Sequence, residues 1–234
     1  MQSSNIRAAT ALVTALCAMS PALAGEARFS GFNAGFTGAV ASSFDDQVEE
    51  PSNPPYTFGA EIDVTSFGAG VFAGYDWQID RFVLGVVGEG RLMTGRSDTY
   101  QWNTIPGNLD PDYPVSAQPL AQLGLRGRVG FVLSNTLYYA TGGLALTQVE
   151  RGYYDGVAPS RSIHTNWDQG YVIGGGIERP FNDWLAFRVE YQRSQFEQRV
   201  VDPSVLGNFC CDQGAELTSH SVQASLVFRL PPAQ

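Results

Sequence analysis

Residues Leu120-Ala121-Gln122-Leu123-Gly124-Leu125-Arg126-Gly127-Arg128-Val129-Gly130-Phe131-Val132 decide the fold. Ala121, Leu123, Leu125, Val129 and Phe131 share one parity, and Gln122, Arg126 and Arg128 share the other. Alternation of this kind reads as a strand with two unlike faces. Two arginines opposite five apolar residues allow two closed sheets. A soluble barrel turns the apolar face inward and the arginines out. A barrel in lipid does the reverse, because a charged side chain on the lipid face is costly.

Seven more segments read the same way, at 32–41, 65–77, 82–92, 137–147, 170–179, 184–192 and 218–230. Short turns are expected at 78–81, 134–135 and 180–183. Long polar loops are expected at 42–64, 93–119, 148–167 and 193–216. Short turns alternating with long loops, around strands of about ten residues, are the layout of an outer-membrane barrel. The expected fold is therefore all-β: an eight-stranded antiparallel up-and-down transmembrane β-barrel. Aromatic residues near the strand ends (Trp77, Phe82, Phe131, Phe181, Trp184 and Phe228) fit the interfacial girdles of such a barrel. An even strand count puts both chain ends on the side of the short turns.

Residues 1–24 read as an export signal. Arg7 is their only charge, an apolar run follows, and Ala22-Leu23-Ala24 suits a small-residue cleavage site. The remainder, 25–234, reads as one barrel domain. The whole chain has a net charge of −9, so loss of Arg7 leaves −10. Its basic residues are all arginine, and no basic face for nucleic acid is expected. Cys210 and Cys211 are adjacent in the last loop and lack the spacing of a zinc site. No cofactor or metal is expected, the acidic stretch at 45–50 lacking regular oxygen-ligand spacing.

The charges sort by face. Asp76, Glu89, Arg91, Arg126, Arg128, Glu178, Arg188, Glu190 and Arg229 lie opposite the large apolar residues and are assigned to the lumen. A buried charge without a partner is costly, and an eight-stranded barrel has room inside only for side chains. Glu89, Arg91, Arg126, Arg128, Arg188 and Glu190 are therefore expected to form a lumenal salt-bridge network. Counted from the turns, Glu89, Arg126, Arg128, Arg188 and Glu190 stand at a similar mid-barrel height. Arg28, Arg179 and Arg193 break the parity and are expected at strand ends. There a lipid-facing Arg costs roughly 0–1 kcal/mol, against about 2–4 kcal/mol at mid-bilayer. The fifth segment leaves one ambiguity, since Tyr138 and Tyr139 cannot both face lipid.

Several motifs, in order, carry a resemblance. They are Gly31-Phe32-Asn33-Ala34-Gly35, Gly74-Tyr75-Asp76-Trp77-Gln78, Gly85-Val86-Val87-Gly88-Glu89 and Arg126-Gly127-Arg128-Val129-Gly130, followed by Tyr139-Ala140-Thr141-Gly142-Gly143-Leu144-Ala145, Gly174-Gly175-Gly176-Ile177-Glu178 and Arg188-Val189-Glu190-Tyr191. Together they resemble the porin-like outer membrane β-barrel family, which is related to the OmpA-type transmembrane domain and common in alphaproteobacteria. The resemblance implies insertion by the barrel assembly machinery, contact with outer membrane lipids and lipopolysaccharide, and an envelope or surface role. The chain departs from the family's usual terminal aromatic, ending Phe228-Arg229-Leu230-Pro231-Pro232-Ala233-Gln234.

Three functions compete. The first is a non-enzymatic structural and surface-interaction barrel, its lumen plugged by salt bridges. The second is a narrow channel for small solutes or ions, with arginines favouring anions. The third is an envelope enzyme. Only His164 and His220 could serve as an imidazole base, and no nucleophile–base–orienter set is evident around them. The first reading is the expectation.

Overall fold

The computed structural model describes residues 29–50, 58–103, 109–154, 161–201 and 212–230. The expected signal, Arg28, Cys210 and Cys211 lie outside them. The strands are β1 (Gly31–Glu50), β2 (Phe58–Ile79), β3 (Phe82–Thr94), β4 (Ser97–Asn103), β5 (Leu109–Leu133), β6 (Thr136–Tyr154), β7 (Arg161–Pro180), β8 (Leu185–Val201) and β9 (Asp212–Leu230). All pairings are antiparallel, in the order β1-β9-β8-β7-β6-β5-β3-β2, and β1 pairs with β2 to close the ring. The barrel is thus eight strands around. β4 continues β3 beyond a break at Gly95-Arg96 and lies between β2 and β5. Gly95 has φ of 146°, and a Cβ there would strike the Thr65 carbonyl, so the break needs glycine.

The register fixes the barrel's dimensions. From Leu84 the paired residues run through Val129, Ala140, Gly175, Tyr191, Val222, Val40 and Phe67, and return to β3 at Thr94. The circuit therefore climbs ten residues, from 84 to 94. Ten residues at about 3.3 Å, against eight strand spacings of about 4.8 Å, tilt the strands by about 40° and set a backbone radius of about 8 Å. Each residue then rises about 2.5 Å along the axis.

Face assignment follows the alternation. Leu125 is 60% exposed and Phe32 64%, whereas Arg126 and Arg128 are each 4% exposed. Tyr138 faces out and stacks on Phe131, centroids 5.7 Å apart, while Tyr139 is buried. Near the short turns the outer wall carries Phe32 edge-on to Tyr75 at 4.8 Å, and Trp184 stacked on Phe228 at 6.2 Å. From this girdle up to the level of Phe67 and Leu146, the apolar wall is about 25 Å tall, the height of a bilayer's hydrocarbon band.

Above that band the faces trade chemistry. Asp46, Glu61, Asp63, Glu197 and Glu216 point outward and are exposed. Ala60, Ile62, Val64, Val115, Ala117 and Tyr153 pack together inside. The upper barrel thus gathers an apolar cluster inside and carboxylates outside, although Phe44, Ile163 and Trp167 remain exposed on its wall. This corrects the expected loops. Most residues of 42–64, 148–167 and 193–216, and many of 93–119, are strand. They look like loop in sequence because their outward positions are polar in water, yet the pairing continues. Pro119 sits at a register shift in β5, where a missing amide donor is tolerated. That bulge also reverses the parity, so Val115 and Ala117 point inward although Leu123 and Leu125 point out.

The turns are tight. Ser134 and Asn135 have φ of 47° and 62°, the conformation of a two-residue hairpin turn. Asn182 Oδ1 accepts the Trp184 and Leu185 amides in the third turn.

The face exchange predicts position-dependent costs. Leu125→Arg, near mid-band, should lose about 2–4 kcal/mol in urea unfolding from lipid vesicles. Asp63→Arg, above the band, should change stability by less than about 0.5 kcal/mol.

Candidate functional site: layered charges in the lumen

The inward arginines and carboxylates stack in three layers. The lowest centres on Glu178 of β7. Arg128 of β5 (3.1 Å), Arg188 of β8 (2.9 Å) and Arg229 of β9 all pair with it. Asp76 of β2 pairs with Arg128 and lies 3.6 Å from Arg229. Asn33 donates to Asp76 at 2.8 Å. The guanidinium of Arg188 lies over the Phe72 ring at 4.5 Å, and that of Arg229 over Phe29 at 4.7 Å.

The middle layer links β3, β5, β6 and β8. Glu89 pairs with Arg91 at 3.1 Å and Arg126 at 2.7 Å. Arg126 also pairs with Glu190, which accepts a hydrogen bond from the Tyr139 hydroxyl. Arg91 donates to Gln122 (2.8 Å) and reaches Gln192 on the opposite wall (3.4 Å).

The top layer stands above the apolar band. Arg151 of β6 crosses the lumen to Asp45 of β1, on the opposite wall, with Nε–Oδ2 at 3.0 Å and Nη2–Oδ1 at 2.9 Å. Its Nη1 binds Asp168 of β7 at 2.9 Å. Burial alone would loosen the Arg151 proton. The charges of Asp45 and Asp168 outweigh burial and push its pKa above the ordinary guanidinium value. An apolar layer of Ala145, Val149, Val172, Phe196 and Leu217 packs inside the barrel as well.

Small residues make room for these side chains. A Cβ on Gly85 would strike the Asp76 carboxylate, and one on Gly176 would stand 2.6 Å from the Tyr139 hydroxyl.

Of the six residues assigned to a lumenal network, Glu89, Arg91, Arg126 and Glu190 meet in the middle layer. Arg128 and Arg188 do not join them, and turn instead to Asp76 and Glu178 below. Counting residues from the turns missed this split because the strands are tilted and the register climbs around the ring. Asp45, Arg151 and Asp168 escaped notice because they fell in supposed loops. Their parity was the available signal, since Asp45 continues the inward series from Asn33 and Arg151 the series from Tyr139.

His164 stands opposite Arg151 in the β6–β7 register, whereas His220 stands apart from the charge layers. His220 faces out from β9, while its neighbours Ser219 and Ser221 are buried inside. Arg193 lies outward in the interior of β8, rather than at a strand end, because β8 runs on to Val201. Arg179 is the penultimate residue of β7.

The sequence profile of the outer membrane protein beta-barrel domain matches residues 8–229. The chain belongs to that family. It is an outer membrane protein, an all-β barrel of antiparallel strands. The 22 kDa outer membrane protein of Rhizobium leguminosarum bv. viciae is 27% identical over 151 residues, 62% of this chain and 60% of that protein. The 31 kDa outer-membrane immunogenic protein of Brucella melitensis is 27% identical over 179 residues, 74% of this chain and 72% of that protein. Among solved structures, the outer membrane protease OmpT from Escherichia coli aligns with a TM-score of 0.49 at 8% identity, over 86% of this chain and 97% of that one.

Removing one partner of a buried pair leaves the others uncompensated. Glu178→Gln strips three arginines of their common carboxylate and should destabilise the barrel by about 3–5 kcal/mol in urea unfolding. Arg151→Met should leave heat-modifiable migration intact, because its layer stands above the band. It should, however, raise amide exchange in the upper strands by tenfold or more.

Proposed function

We propose that this protein is a non-enzymatic structural and surface-interaction barrel whose lumen is sealed by its own charges. One observation carries this reading: arginines from several strands are cross-linked to carboxylates on facing walls, and Glu178, Asp76, Arg128 and Arg188 are each at most 4% exposed. At a backbone radius of about 8 Å, such layers leave no continuous water column. The strands then rise above the membrane as a stem with a packed apolar core. The outer wall of that stem is the part that meets the outside, and its partners are surface molecules. Insertion by the barrel assembly machinery, and a setting among outer membrane lipids and lipopolysaccharide, belong to the same proposal.

A channel is the rival reading, favoured only by the arginines lining the lumen. Planar bilayers separate the two. The sealed barrel gives no discrete current steps at moderate voltage, although Glu89→Ala, which loosens the middle layer, should introduce brief openings. Steady conductance by the wild-type protein, altered in size by Glu89→Ala, would establish the channel.

A further inference from the structure

Arg193 is a charge in an unfavourable place. It faces outward from β8 in the upper part of the apolar band, exposed, between Ile173 on β7 and His220 on β9. Among the described residues it makes no ion pair or hydrogen bond. The polar groups near it are already occupied. Gln195 accepts from the Tyr171 hydroxyl at 2.7 Å and donates to Glu216 at 2.7 Å. Glu216 is thus engaged one level higher, by an amide.

His220 adds a second group beside the guanidinium. Its Nδ1 lies 2.7 Å from the Tyr191 hydroxyl, and its ring stands edge-on to Phe44 with centroids 6.3 Å apart. When the tyrosine hydroxyl donates to Nδ1, the ring proton sits on Nε2, a donor beside the five of the arginine. The pair therefore presents donors at the membrane rim.

We infer that Arg193 and His220 form an external binding site for the phosphate headgroup of a phosphorylated outer-leaflet lipid. Two features select this occupant. Donors side by side, one a planar guanidinium, match a phosphate's oxygens. Below them the wall is Tyr191, Val189, Val222 and Ala224, lying along acyl chains. The ligand must bring an anion to the rim and hydrocarbon beneath it, as a phosphorylated lipid does and a soluble anion does not. Phosphate pairing also removes the cost of an unpaired lipid-facing arginine. The inference rests on the outer membrane placement and is independent of whether the lumen conducts.

The test uses the full folded protein in detergent micelles, titrated with bis-phosphorylated lipid A and read by native mass spectrometry. Wild-type protein should retain the lipid at least fivefold more than the double variant R193Q/H220Q. R193K should fall between them, because an ammonium lacks the planar fork. R179Q, at the opposite rim, should match wild type. Dephosphorylated lipid A should bind wild type no better than lipid A binds the double variant, and excess inorganic phosphate should not displace the lipid. Equal retention by wild type and the double variant would overturn the inference. Displacement by free phosphate would overturn its assignment to a lipid. Heat-modifiable migration, expected to be unchanged in every variant, reports barrel formation separately from lipid binding.

Discussion

The inward arginines are buried in a narrow barrel, so each must find a counter-charge among the inward carboxylates. This constraint organises the rest of the structure. It confines the guanidinium groups to inward positions of β3, β5, β6, β8 and β9. It requires carboxylates on β1, β2, β3, β7 and β8 at matching heights, and it places glycine where an extra carbon would collide with a pair. Buried ion pairs of this kind are weak evidence for stability against an apolar filling. What they enforce is register, because a one-residue slip of any strand would turn its charges to hydrocarbon.

The same constraint explains where the membrane ends. Within the band the outer wall is apolar and the core is charged. Beyond Phe44 on β1 and Thr65 on β2 the outer wall becomes acidic, and the core becomes Ala60, Ile62 and Val64. One strand thus obeys two solvents in turn, and the bulge at Pro119 allows β5 to make the exchange by shifting its parity. Asp45, Arg151 and Asp168 form a polar layer above the band.

The band-spanning part was legible in sequence because lipid leaves only one arrangement for Leu125 against Arg126, or Phe187 against Arg188. The chain's own periodicity reported which residues share a face. The upper strands were illegible for a physical reason. Polar outward residues such as Asp46 and Asp63 are compatible with loop and strand alike, and only pairing across the ring distinguishes them. The partners within the lumen were half legible. Parity assigned each charge to the interior, but the ten-residue climb of the register decided that Arg128 meets Glu178 rather than Glu89. Arg193 shows the opposite limit, an outward cation that sequence excused as terminal and that the length of β8 returns to the lipid wall.

Sidedness along β5 tests the account most directly. Single nitroxide labels at Leu123, Leu125 and Val129, and at Gln122 and Gly124, can be compared in lipid vesicles for contact with oxygen and with a water-soluble nickel chelate. The account predicts high oxygen contact at the three odd positions and little contact with either reagent at the two even ones. It also predicts nickel contact at Asp63, above the band. Nickel contact at Leu125 and Val129 would contradict the membrane sidedness of the whole barrel, and nickel contact at Gln122 and Gly124 would contradict the sealed lumen.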